Sequence, residues 1–297
     1  MNADTARTCT VRFCACLALL LATCMLASSS EQTPAALPPL TRTQVSPRIW
    51  ECRFRSRVLG QDKRFVVVLP AKYQAQGPAW PVVYFLHGAG RHCRTLVDNA
   101  VTRQALLDAP FVTVHPDGGA GWWIDSPVDS KSRYQSHVTE VIALAEANFN
   151  VAGEPAKRGL GGWSMGGYGA LLYAEAHPGQ FRALATLLPL ADFPNPALPK
   201  DQNHSIPPVL GRDPALWPSF NPLHAADKLK ATAIFHVTGS DAFDRTMNER
   251  LHQRLTDLSI PHTFLLKPGR HMWPFVEQTL PEALKSLAQT LANDAAR

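Results

Sequence analysis

The residues best placed to do chemistry are Gly162-Trp163-Ser164-Met165-Gly166, which have the form G-x-S-x-G. Arg158 to Gly162 reads as a strand and a helical pattern begins at Met165, so the serine falls on a strand-to-helix turn. In so tight a turn, side chains two residues to either side of the serine would collide, which asks for Gly162 and Gly166. The hydroxyl then projects from a strained backbone. Behind it, the start of the helix favours the negative charge that develops during attack on a carbonyl. The competing reading is a glycine-rich turn with a capping serine.

A nucleophilic serine also needs donors for the developing oxyanion, a base and an acid. His87-Gly88-Ala89-Gly90 follows the apolar run Pro81 to Leu86. It stands where a second oxyanion donor arises, so the backbone N–H groups of Met165 and Ala89 would form the hole. His87 itself reads as structural. Of the eleven histidines, His271 is the expected base. It follows the last strand, and the turn carrying Gly269 delivers the imidazole back over the strand ends. His262 reads as an exposed edge residue and His236 as a packed core histidine. The acid should follow the strand Ala233 to Val237. Asp241 is favoured because it lies nearer the strand end, while Asp244 reads as the start of the next helix. Asp192, after the strand Ala183 to Leu188, is a third candidate.

The elements that must position these groups are legible as apolar runs alternating with helical patterns. Trp50 to Arg57 and Arg64 to Leu69 read as an opening antiparallel pair. Strands at Pro81 to Leu86, Phe111 to His115, Arg158 to Gly162, Ala183 to Leu188, Ala233 to Val237 and His262 to Leu266 follow. Helices are expected at Leu96 to Leu107, Val138 to Phe149, Met165 to His177, about Asp244 to Leu258 and about Pro274 to Ala292. Wholly apolar strands between helices imply an α/β fold with a mostly parallel sheet covered on both faces. Residues 191–232 are rich in proline and poor in periodic apolars, and read as an excursion over the sheet edge.

Taken together, the motifs resemble the Putative esterase (esterase D-like) family of α/β hydrolases, which includes S-formylglutathione hydrolases, feruloyl and acetyl esterases and mycolyltransferases. The resemblance spans about residues 50–290. It is carried by Gly161 to Ala170 with His177-Pro178 and Phe181, by Tyr84-Phe85-Leu86-His87-Gly88, by Pro116 to Trp123, and by Pro268-Gly269-Arg270-His271-Met272-Trp273. It implies the α/β-hydrolase fold, Ser164 and His271 in the catalytic roles, no metal, no cofactor and no large lid. This chain departs from the pattern at the acid, because Ala242 stands where the family usually shows an acidic residue. Trp122 and Trp123 are candidates for the wall of an acyl or sugar subsite, with core packing as the alternative.

Bulk properties narrow the function further. The chain has 297 residues, 45% of them hydrophobic and 18% charged, with a net charge of +5. Its lysines and arginines are scattered rather than clustered, which argues against a nucleic-acid partner. Neither CxxC nor HExxH occurs, so no metal site is expected. Arg7 and Arg12 precede an apolar stretch that runs to Leu26 and ends in small residues, the pattern of an export signal over 1–30. Leu21-Ala22-Thr23-Cys24 resembles a lipobox, so a lipid on Cys24 is the one expected route to a membrane. Residues 31–48 read as a Pro-rich linker and 49–293 as a single catalytic domain. Cys52 and Cys93 are left as a disulfide or as two free thiols. An exported enzyme is not expected to act on the cytosolic S-formylglutathione, so small-acyl or carbohydrate-linked (feruloyl- or acetyl-type) esters are the expected substrates. The alternatives are an acyltransferase with the same triad and a non-catalytic envelope-binding protein. Nothing in the sequence fixes the oligomeric state.

Overall fold

The apolar runs form strands wherever β-branched and aromatic residues concentrate, and in the computed structural model they join into one nine-stranded sheet. The structure describes residues 36–292. In chain order the strands are β1 Leu40–Ser46, β2 Ile49–Arg55, β3 Asp62–Val68, β4 Val82–Leu86, β5 Val112–Pro116, β6 Arg158–Trp163, β7 Ala183–Leu187, β8 Ala233–Gly239 and β9 His262–Lys267. The helices are α1 Thr95–Asp98, α2 Ala100–Asp108, α3 Tyr134–Asn148, α4 Met165–Ala176, α5 Arg245–Asp257 and α6 Trp273–Ala292. The spatial order is β1-β2-β3-β5-β4-β6-β7-β8-β9. β1 to β3 pair antiparallel with their neighbours, and every pair from β5–β4 onward is parallel.

Two apolar cores lie on opposite faces of the sheet because side chains alternate along each strand. One packs Phe65, Val67, Tyr84, Leu86 and Val114 against α3, α4 and α5; the other packs Val66, Val68, Val83 and Phe85 against α2 and α6. This is the doubly covered α/β architecture expected of the sequence. The excursion at 191–232 forms short 3₁₀ turns, such as Pro208–Leu210 and Pro214–Phe220, rather than regular elements.

Several expectations need correction. The expected linker over 31–48 is in part a strand: Leu40–Ser46 pairs with β2, with Leu40 opposite Phe54 and Gln44 opposite Trp50. Its side chains are mostly exposed, so it lies on an edge where an apolar face is not required. The single helix expected over 96–107 breaks at Asn99, whose side chain accepts from the N–H groups of Val101 and Thr102 and so starts a second helix. The signal and lipobox readings fall on residues outside those described.

Cys52 and Cys93 are free thiols. Cys52 packs in one core and Cys93 in the other, so the sheet itself separates them. Burial pushes both thiols up to about 12, which keeps them protonated and poor nucleophiles. Iodoacetamide should therefore leave both unmodified in the native protein. Denaturant without reductant should expose both to full alkylation, read by peptide mass; a Cys52–Cys93 cross-link would instead survive unmodified.

Candidate active site

Ser164 stands on the turn between β6 and α4 at φ 55°, ψ −124°, a strained conformation for a residue with a side chain. Two glycines make the turn possible. A Cβ on Gly162 would sit 2.3 Å from the Gly166 carbonyl oxygen, and one on Gly166 would sit 2.1 Å from that of Leu86. The second contact brings the start of α4 against the end of β4 and the loop His87-Gly88-Ala89-Gly90. Met165 is buried at that junction, whereas Ala89 is exposed on the loop. Gly88 lies against the Trp163 ring, where a Cβ would meet carbons at 2.9 Å.

His271 completes a hydrogen-bonded line. Its Nε2 lies 2.8 Å from Ser164 Oγ, and its Nδ1 lies 2.7 Å from Asp244 Oδ1. An ionised carboxylate only accepts, so Nδ1 carries the proton and Nε2 is free to accept from the serine hydroxyl. Asp244 is fully buried. Its second oxygen accepts from Asn248 Nδ2 at 2.6 Å and from Thr238 Oγ1 at 3.1 Å. Asn248 Nδ2 also lies 3.1 Å from the Pro189 carbonyl oxygen, which ties the acid to the segment after β7.

The favoured acid, Asp241, is thus replaced at the imidazole by Asp244. Asp241 lies nearer the strand end, but its backbone N–H donates to the Gly269 carbonyl at 2.9 Å and its side chain is exposed, accepting from Ser240 Oγ at 3.2 Å. The chain turns at Gly239–Ala242 before α5, and that turn carries Asp244 inward. Asp192 is fully engaged elsewhere, by Asn195, Asn221 and Arg250 at 2.7–2.8 Å.

The tryptophans also need revision. Trp123 is wholly buried, wedged between Gly118 and Gly169, where added Cβ atoms would approach its side chain to 2.5 and 2.3 Å. Its indole N–H donates to the His87 carbonyl at 3.0 Å. It is therefore core that braces the loop holding Ala89, not a substrate wall. Trp122 is 6% exposed and packs on Tyr168, Phe193 and His204. It too stands behind the surface. The aromatic face at the imidazole is Phe243, 4.7 Å from the His271 ring centre. With Asp241, Arg270, His271 and Met272 it lines a cleft of about 400 Å³. Phe243 was missed in the sequence because it sits between the two candidate acids with no apolar period of its own.

The other histidines behave as bridges and core. His87 Nδ1 lies 2.9 Å from the Gly88 carbonyl, and its Nε2 accepts from the Gly118 N–H at 2.9 Å. Burial lowers its pKa to about 4. His236 is buried beside Thr186 and lowered to about 3 for the same reason. His262 is partly buried rather than exposed, its Nε2 2.7 Å from His252 Nδ1.

The fold agrees with what the family comparison finds. Residues 56–287 match the family described as Putative esterase. The chain belongs to that family. It is similar to an esterase of Mycobacterium tuberculosis, 28% identical over 279 residues, covering 78% of this chain and 57% of the relative. It therefore spans a little over half the length of that relative. It is also similar to the S-formylglutathione hydrolase of Mus musculus, 25% identical over 257 residues, covering 77% of this chain and 89% of the other. Among solved structures, a ferulic acid esterase superposes with a TM-score of 0.68 at 21% identity, covering 85% of this chain and 100% of that one. That likeness establishes the α/β-hydrolase fold for this member of the family.

Proposed function

We propose that the protein hydrolyses carboxylic esters through an acyl-enzyme on Ser164, with His271 as general base and Asp244 as the acid that orients it. The observation that carries this reading is the unbroken line Ser164 Oγ–His271–Asp244, with contacts of 2.8 and 2.7 Å. His271 takes the serine proton as Oγ attacks the ester carbonyl. Asp244 holds the Nδ1–H tautomer and stabilises the imidazolium. The N–H groups of Met165 and Ala89 receive the oxyanion, aided by the start of α4. The imidazolium then protonates the leaving alkoxide, and the base activates water to release the acid. Asp244 also supplies the acid that the position of Ala242 seemed to withhold, which weakens the non-catalytic reading. The apolar Phe243 and Met272 beside the imidazole suit a small acyl or alcohol group, and export over the first 30 residues suits a carbohydrate-linked ester outside the cytosol.

The test is a fluorophosphonate probe together with p-nitrophenyl esters from acetate to octanoate. The wild type should label and turn over the short esters; Ser164→Ala should do neither. Hydrolysis in the presence of a sugar acceptor, with products separated, distinguishes water from an alcohol as the acyl acceptor. An unlabelled wild type would overturn the proposal.

A further inference from the structure

The edge of the sheet that carries Ser164 also carries a second cleft. β3 runs antiparallel to β5 with Phe65 opposite Pro116, so the start of β3 lies where the parallel strands end. The end of β2 and the start of β1 lie there too, since Phe54 pairs with both Lys63 and Leu40. A cleft of about 600 Å³ opens at this corner, and its charged lining is Arg53, Arg55, Lys63 and Arg64 against Asp62 and Asp117. β3 stands three strands from β6, which at about 4.8 Å per strand is about 14 Å. A substrate of modest length spans that interval.

Ion pairs take up part of this charge, Arg55 with Asp62 and Arg64 with Asp117, each at 3.2 Å, and leave an excess of cations. Arg53 and Arg64 stand directly opposite each other in the antiparallel ladder, a like-charge pairing that disfavours the sheet. Three guanidiniums crowd one buried carboxylate: Glu51 lies 2.7 Å from Arg53, 3.4 Å from Arg94 and 3.9 Å from Arg64. Lys63 has no carboxylate partner among the described residues; its Nζ lies 3.3 Å from the Tyr134 hydroxyl and 4.7 Å from that ring's centre. Side-chain contacts also link the cleft to the oxyanion loop. Arg64 Nε donates to Asp117 Oδ2 at 3.2 Å, and Asp117 Oδ1 lies 3.8 Å from His87 Nε2.

We propose that this cleft binds a carboxylate- or phosphate-bearing group on the part of the ester remote from the scissile bond. The link to the ester rests on the hydrolase reading above; the anion site does not. Calorimetric titration at low ionic strength, on Ser164→Ala protein, separates the two. The probes are tripolyphosphate and trigalacturonate, and the one that binds identifies phosphate or carboxylate as the preferred group. Lys63→Gln and the exposed Arg55→Gln should each weaken binding about fivefold, equivalent to about 1 kcal/mol. No heat from either probe, or affinities untouched by both substitutions, overturns the site. In the active protein, an ester with a distant carboxylate should show a higher kcat/KM than its neutral counterpart, and Lys63→Gln should erase the advantage through KM. Equal values for the two esters would overturn the link to the substrate while the titration still decides the site. A wild type inactive on every ester would overturn that link together with the hydrolase reading.

Discussion

Asp244→Asn should lower kcat about 10⁴-fold, while Asp241→Asn leaves it within about threefold. The amide at 244 presents an N–H toward an imidazole that already carries a proton on Nδ1. To avoid that clash the ring must move its proton to Nε2, where it can no longer accept from Ser164. Asn248 Nδ2 and Thr238 Oγ1 both donate to Asp244, which fixes the amide's other face and prevents an easy flip. Asp241 meets solvent, and its carboxylate accepts only from Ser240 among the contacts that hold it. Stopped-assay kcat on p-nitrophenyl acetate decides between them. A steep loss with Asp241→Asn and a shallow one with Asp244→Asn would reverse the assignment.

Stability should fall steeply between pH 7 and pH 5. His115 and His236 are wholly buried, and burial lowers both to about 3; His87 is lowered to about 4. A histidine held neutral in the fold and near 6.5 when unfolded binds its proton in the unfolded chain first. Its contribution is intact above 6.5 and is lost as pH falls from there toward the folded value. At pH 5 each of the three should cost about 2 kcal/mol, a large share of the 5–15 kcal/mol typical of a domain. Glu175 works the other way: burial raises its carboxyl, so acid relieves a penalty there. His137, lowered by burial, and Glu51 and Glu140, held down by their ion-pair and hydrogen-bond partners, act in the same direction as the three histidines, so the net is a loss. Urea midpoints at pH 7 and pH 5 measure it, and His236→Leu should flatten the slope. Equal midpoints at the two pH values would contradict this account.

Much of this was readable in advance because the apolar runs are dictated by burial on both faces of a parallel sheet. β4, β5, β6 and β7 have every residue buried, and such strands are written mainly with apolar residues, the few polar ones such as Thr186 and Arg158 finding hydrogen-bond or ion-pair partners. β1 escaped for the opposite reason. An edge strand with five exposed central residues has the composition of a linker, and only its pairing with β2 reveals it. Ser164 and His271 were legible because glycines at 162, 166 and 269 mark the backbone they need. The acid was not. Choosing between 241 and 244 requires knowing which way the chain turns after Gly239, and that turn is set by contacts with a distant segment. Trp122 and Trp123 misled because an aromatic side chain suits a ligand wall and a core equally well. What decides between them is the pair of glycines, 118 and 169, that make room for Trp123.

The contacts between the segments after β8 and β9 carry one further consequence. Ser240 N–H donates to the Lys267 carbonyl at 2.7 Å, Asp241 N–H to that of Gly269 at 2.9 Å, and a Cβ on Gly239 would sit 2.3 Å from the Gly269 carbonyl oxygen. The carboxylate and the imidazole therefore ride on one stitched ribbon, while the serine belongs to another part of the sheet. The ribbon lies at the sheet's margin, since among the described residues β9 has β8 as its sole neighbour. Partial opening of that margin would detach acid and base together, as a preassembled pair, and leave the serine's strained turn intact.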